Sequence, residues 1–227
     1  TAFDTFFSLD VSGQMDALGD QWRAMGLEFD AIYTGYLASP AQVDFVEAFF
    51  DRFGGKHTLR FVDPVMADQG RLYAGFDDGF PEKMRLLCAR ADIITPNITE
   101  ACLLTGTLYR EQHDENYVRA LLEKLLAFGP RTVILTGVRP ADGRMGVAAM
   151  DASGEMSVHL TEYIPAVFHG TGDVFASFVL AGLLQELPLK TAAERALDLT
   201  HESIEWTLRE KQPLRYGVQF ERVLKKL

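Results

Sequence analysis

Thirty-two acidic residues against 22 basic ones give the 227-residue chain a formal charge of −10, which argues against a sequence-independent grip on nucleic acid or on an acidic membrane surface. Hydrophobic residues at 48% and charged residues at 24% are an ordinary globular balance, so residues 1–227 are expected to form one sizeable domain. No apolar run reads as a membrane span or a signal peptide, and Cys88 and Cys102 are not spaced as a metal or redox pair, so a reducing, cytoplasmic setting is expected.

The chain opens at Thr1-Ala2-Phe3-Asp4 without a methionine and runs into a Phe-rich, loop-like segment, which leads to the expectation that an N-terminal portion is absent. Met15, Leu18, Trp22 and Met25 then recur at three- and four-residue spacing and stop at Gly26, predicting a first helix. Ala31 to Thr34 reads as a short strand running into Gly35. Ser39-Pro40 is an N-cap followed by a first-turn proline, and Val43, Val46, Phe49, Phe50 and Phe53 follow before Gly54-Gly55 ends that helix. The phenylalanines at 45, 49, 50 and 53 are read as core.

Leu59 to Val62 predicts a strand closing on Asp63-Pro64. Pro81 to Ala91 reads as a helix, Ile93-Ile94 as a strand and Glu100 to Leu104 as the opening of a short helix. Glu115 to Phe128 is amphipathic and stops at Gly129-Pro130. Thr132 to Leu135 is a buried-type strand, and Met145–Met150 with Met156–Leu160 predicts a hairpin across Asp151–Glu155. Helices over about Thr171–Gln185 and Thr191–Arg209 and a polar tail complete the chain.

Strands alternating with helices imply parallel βαβ units covered on both faces, with ligands beyond the carboxyl ends of the strands. Asp63, Thr95 and Thr136-Gly137 each end a strand, so three strands deliver oxygen-bearing groups to one edge. The stretch Phe168 to Phe178 supplies what such an edge would use: Gly170-Thr171-Gly172-Asp173 opens a helix inside a glycine turn, where unpaired amides suit an anion. A carboxylate there repels a phosphate, and its presence is explained if Asp173 is a general base toward a hydroxyl attacking a phosphoryl group.

Three segments carry a family resemblance. Asp63-Pro64-Val65-Met66-Ala67-Asp68-Gln69-Gly70-Arg71-Leu72-Tyr73 resembles the DPVMGDxGxLY segment of the pyridoxal kinase group in the ribokinase-like superfamily, with Ala67 in place of a glycine. Thr95-Pro96-Asn97-Ile98-Thr99-Glu100 resembles its TPNxxE, and Gly170 to Asp173 its GTGD. The resemblance implies a three-layer α/β/α ribokinase-like fold with a mostly parallel central sheet, from which an N-terminal strand and helix are missing here.

The resemblance further implies ATP-dependent phosphorylation of the 5′-hydroxymethyl group of pyridoxal, pyridoxine or pyridoxamine. On it, Asp173 is the catalytic base and Gly170, Thr171 and Gly172 form the phosphoryl-binding anion hole. Asp63, Asn97, Glu100, Thr136 and Gly137 bind ATP; Tyr36 and Thr1 line the pyridine pocket. Asp68 and Glu100 stand near Mg²⁺, whose hard character suits oxygen ligands. Asp63, Thr95 and Thr136 match positions around a monovalent cation, K⁺ or Na⁺. Small-molecule substrates, no nucleic acid, no membrane and a homodimer are the expected partners.

Each residue also has an ordinary reading. Asp63-Pro64 ends strands commonly, Asn97 with Glu100 suits a capping pair, Tyr36 suits simple packing, and His169 is assigned no role. Hydroxymethylpyrimidine kinase is the enzymatic alternative, although those kinases often carry cysteine where Asp173 stands. A non-catalytic binder of nucleotide or pyridoxal phosphate is the alternative of another class.

Overall fold

The computed structural model describes residues 5, 7, 9–211 and 213–227. Helix α1 (Ser12–Ala24) precedes strand β1 (Ala31–Thr34) and helix α2 (Pro40–Phe53), where the Ser39 hydroxyl accepts a 3.4 Å bond from the Gln42 N–H and Pro40 fills the first turn. Strand β2 (Leu59–Val62) leads into a two-strand flap, β3 (Ala67–Asp68) and β4 (Arg71–Leu72). Helix α3 (Phe80–Ala89), strand β5 (Ile93–Ile94) and helices α4 (Ile98–Thr105) and α5 (Glu115–Leu126) follow.

Strand β6 (Thr132–Val138) enters the hairpin β7 (Arg144–Asp151) and β8 (Met156–Glu162), and helices α6 (Thr171–Leu184) and α7 (Leu189–Arg209) close the regular structure. Short 3₁₀ turns occupy the tail, Leu214–Tyr216, Phe220–Arg222 and Leu224–Lys226. The predicted boundaries differ by up to two or three residues at several ends. Strand β6, for example, runs on to Val138 because its antiparallel partner β7 pairs with it along that whole length, whereas its parallel partner β5 reaches only Thr132 and Val133.

The sheet order is β1-β2-β5-β6-β7-β8, parallel through β6 and antiparallel in the last two pairings, so the expectation of a mostly parallel sheet holds. Strand side chains alternate between faces. Val62, Ile94, Val133 and Leu135 point into one core, under α2 to α5, while Phe61, Ile93 and Ile134 point into a second, under α6 and α7. The result is the three-layer arrangement. Phe50 is fully buried in the first core with Phe45, Phe49 and Phe53 packed around it, as their spacing suggests.

Two features depart from the sequence reading. The flap β3/β4 was not expected; its turn places Gln69 (φ +50°) and Gly70 (φ +78°) both in the left-handed region, the signature of a type I′ hairpin. Strands of two residues are too short to show any alternation. Helix α1 forms as predicted, but Leu18 and Met25 of its apolar stripe stay exposed, and Trp22 meets Phe29 and Phe49 edge-on at 5.7 and 5.8 Å.

Candidate active site

The carboxyl ends of the parallel strands are stitched together by backbone bonds that run across the sheet. The Asp63 N–H donates to the Thr34 carbonyl (2.8 Å), the Thr95 N–H to the Val62 carbonyl (3.1 Å) and the Thr136 N–H to the Pro96 carbonyl (2.9 Å). These bonds fix Asp63, Thr95 and Thr136 along one edge; Asp63 and Thr95 directly follow strand ends as expected, whereas Thr136 lies within β6, which continues through an irregularity in register to Val138. Asp63, Thr34 and Thr95 are buried there. Among the described residues Thr34 Oγ1 and Thr95 Oγ1 have no hydrogen-bond partner in good geometry, although Thr95 lies near enough to Asp63 to favour its ionised form.

The same edge receives the amino end of α6. Gly170 adopts φ +76°, which a residue with a Cβ rarely reaches, and no side chain caps the turn. A Cβ at Gly170 or Gly172 would meet nothing within 4 Å, so the backbone of the turn faces open space. Unpaired amides and the positive end of the helix dipole make that space suited to an anion. Helix α6 is held in place by Phe175, Ala176, Phe178 and Val179, all buried in the second core with Phe61, Ile93 and Ile134.

Asp173 stands in the first turn of α6, solvent-accessible, with Oδ1 3.7 Å from the point where a Gly35 Cβ would be. Gly35 directly follows β1, so the carboxylate lies at the strand-end edge. Partial burial raises the Asp173 pKa above the usual carboxylate range. Asp63 is pushed up to about 7, first by burial and then by the charge of Asp173. Two carboxylates thus share one region, and an attacking hydroxyl or a cation would find a proton acceptor and negative charge there.

Glu100 has another place in the architecture. Asn97 caps α4, its Oδ1 accepting from the Glu100 N–H at 3.0 Å, while Glu100 Oε2 accepts from the Asn97 N–H at 2.9 Å. Glu100 Oε1 accepts from the Met66 N–H at 3.1 Å and the Ala67 N–H at 3.4 Å, and Asn97 Nδ2 donates to the Ala67 carbonyl at 2.8 Å. The capping reading and the functional reading therefore coincide: the pair ties the Asp63–Asp68 segment to the start of α4. Burial and then the charge of Asp63 raise the Glu100 pKa, against three amide donors that favour its ionised form. Three of the roughly four acceptor positions of the carboxylate are thus taken, two on Oε1 and one on Oε2.

Asp68, the other expected magnesium neighbour, is exposed at the start of the flap turn, accepting from the Gln69 N–H at 2.8 Å. Burial and the charges of Asp68, Glu100, Asp63 and Asp173, in that order, push the Tyr73 pKa up to about 12, which places all four carboxylates around one region. Among the described residues no three His, Cys, Asp or Glu side chains form a metal cage. Thr136 and Gly137 (φ +72°) lie where Thr136 bridges to Asn97. Tyr36 is 57% exposed and contacts the Phe76 ring at 5.6 Å, and Phe76 stacks on Phe80 at 4.1 Å. Thr1 lies outside the described residues.

Sequence reasoning missed Tyr33, whose hydroxyl is buried beside Gly35 and unpartnered among the described residues. Strand alternation puts Tyr33 on the face shared with Phe61, and that register was the one signal available. His113 was also passed over. It is buried, with Nδ1 accepting from the Arg139 N–H and Nε2 bonded to the Arg110 carbonyl, each at 2.8 Å, so it joins two loops.

The profile of the phosphomethylpyrimidine kinase family matches residues 11–216. The chain belongs to that family. Pyridoxal kinase of the sheep Ovis aries is 30% identical over 203 residues, covering 80% of this family member and 63% of the sheep enzyme. The hydroxymethylpyrimidine/phosphomethylpyrimidine kinase of Bacillus subtilis is 29% identical over 196 residues, covering 86% and 69%. A protein of Bacteroides thetaiotaomicron assigned as a phosphomethylpyrimidine kinase, solved in a form with pyridoxal, superposes with a TM-score of 0.93 at 34% identity over 99% of this chain and 79% of that one. The fold is ribokinase-like, and the chain spans about 63% of the length of the mammalian relative it matches. No helix among the described residues is long and apolar enough to cross a membrane.

Proposed function

We propose that this family member transfers the terminal phosphoryl group of ATP to the 5′-hydroxymethyl group of a B6 vitamer, forming the 5′-phosphate and ADP. The observation that carries the reading is the meeting of the uncapped Gly170–Gly172 turn with the Asp173 carboxylate at the edge where β1, β2 and β5 end. Asp173 takes the proton as the acceptor O–H bond breaks. The freed oxygen pair attacks phosphorus, and the bond to the bridging oxygen of ADP breaks. The amides of Gly170, Thr171 and Gly172 receive the migrating group.

Asp63, Asn97, Glu100, Thr136 and Gly137 frame the ATP side in this reading, Glu100 and Asn97 by holding the turn they already hold. The donor chemistry fits hard cations: the orphaned hydroxyls of Thr34 and Thr95 beside the Asp63 carboxylate offer only oxygen. Asp68 would hold Mg²⁺, with Glu100 bracing it, and Asp63, Thr95 and Thr136 a K⁺ or Na⁺ ion. Such cations, when bound, offset the charge on the phosphates. Tyr36 with Phe76 offers an aromatic wall for the pyridine ring. A single catalytic domain, assembly as a homodimer and a cytoplasmic setting belong to the same reading.

The Bacillus subtilis relative keeps the hydroxymethylpyrimidine alcohol in view as a second acceptor. Incubation of the full-length protein with ATP and Mg²⁺ and either ring, followed by chromatography of the phosphorylated product, separates the two. Turnover of pyridoxal or pyridoxine above that of the pyrimidine alcohol is the expected result; the reverse order replaces the acceptor, and no phosphorylation of either ring ends the kinase reading.

A further inference from the structure

The Tyr33 hydroxyl is buried and has no hydrogen-bond partner among the described residues. Its ring stands edge-on to Phe61 at 5.5 Å, and phenylalanine would fill that position without leaving a polar group unpaired. Gly35 offers a reason for the hydroxyl. The point a Gly35 Cβ would occupy lies 3.6 Å from Tyr33 Oη and 3.7 Å from Asp173 Oδ1, and among the described residues no other heavy atom outside its chain neighbours approaches it within 4 Å. Gly35 does not have a positive φ. Backbone conformation therefore does not require glycine there; the missing side chain leaves a slot between a phenol and a carboxylate.

The two walls of the slot ask for different things. Tyr33 is surrounded by negative charge: burial first, then Asp63 and Asp173, hold its pKa far above the usual value, so it keeps its proton and is available as a donor. Asp173, when ionised, only accepts. A group that bridges them must accept one hydrogen bond and donate another, which an alcohol does and an ether, a methyl or a carboxylate does not.

We propose that Tyr33 is an acceptor-orienting residue: its hydroxyl donates to the oxygen of the substrate alcohol seated over Gly35, turning the alcohol proton toward Asp173. This rests on the acceptor reading above and adds a specificity determinant to it. The slot selects a primary alcohol by pairing both of its hydrogen-bonding functions.

The test compares two ligands in two proteins by calorimetry without nucleotide. The ligands are pyridoxine and its analogue with a methyl group in place of the 5-hydroxymethyl. The unaltered full-length protein should bind the alcohol roughly tenfold more tightly, and Tyr33→Phe should cut that preference by roughly threefold or more, the range of one neutral hydrogen bond, while binding the methyl analogue as before. In turnover, Tyr33→Phe should raise KM for the alcohol and leave KM for ATP unchanged. Gly35→Ala, whose methyl meets both groups at ordinary contact distance, should remove the preference without unfolding the chain. A preference that survives intact in Tyr33→Phe overturns this proposal and leaves the kinase reading standing. If the unaltered protein shows no preference for the alcohol, the proposal falls, while the acceptor reading is decided by turnover.

Discussion

Replacing Asp63 by asparagine should make the protein more stable at alkaline pH. The fold holds this carboxyl at about 7 against an ordinary value of 3.8, because it is buried and faces Asp173. At ~1.4 kcal/mol per pH unit, the ionised side chain is about 4 kcal/mol less comfortable in the fold than in the unfolded chain. For an acid whose folded pKa is raised, the penalty is complete above pH 7. It is relieved as pH falls toward 3.8, because the folded state takes up the proton first, so at pH 5 only about 1–2 kcal/mol remains. Asparagine keeps the shape and removes the charge, but its amide leaves hydrogen-bonding groups imperfectly matched, at about 1–3 kcal/mol.

The net expectation is a gain of about 1–3 kcal/mol at pH 8 that vanishes or reverses at pH 5. For a chain of this size about 2–4 °C accompanies each kcal/mol, so the melting-temperature difference between variant and parent should shrink by roughly 5–10 °C between the two pH values. Scanning calorimetry in tetramethylammonium buffers, which keep small cations from the site, reads the difference directly. A variant whose advantage is the same at both pH values, or larger at pH 5, would show that Asp63 is not held protonated by the fold, and the electrostatic account of the strand-end edge would be wrong.

Three other perturbations separate catalysis from architecture. Asp173→Asn should lower turnover by about a hundredfold or more while ATP affinity, followed by a fluorescent nucleotide, stays within a small factor; near-parental turnover removes the base assignment. Asn97→Ala deletes the α4 cap and the bond to the Ala67 carbonyl, and chemical denaturation should register a loss of about 1–3 kcal/mol; an unchanged midpoint would mean that water replaces both bonds. Phe50→Ala empties a fully buried ring from the larger core and should cost about 3–5 kcal/mol in the same measurement, whereas a loss below 1 kcal/mol would mean that Phe45, Phe49 and Phe53 collapse into the space.

Much of the scaffold was legible in the residues because local rules act within a few positions. Ser39-Pro40 and Asn97 with Glu100 each announce a helix start through groups that bond to amides two or three residues on, and each is found capping one. The strands were readable as apolar runs ending in Asp63, Thr95 and Thr136. The flap at 67–72 was not, since it rests on a type I′ turn between strands too short to have a period. Tyr33 was not either, because a tyrosine in a strand looks like core until the neighbour above its hydroxyl is known.

The amino-acid order by itself determined, among the described residues, the seven helices and the six strands of the main sheet, that strands separated by helices run parallel under covering helices, and that a glycine turn followed by Asp173 begins a helix, because propensity, capping and periodicity are short-range effects. Only the tertiary structure decided that Glu100 Oε1 accepts from the amides of Met66 and Ala67, that Asp63 and Asp173 perturb one another, and that Tyr33 and Asp173 flank Gly35. Those relations join residues from 33 to 140 positions apart, and their energies depend on burial and distance, which exist only once α6 has closed over the sheet.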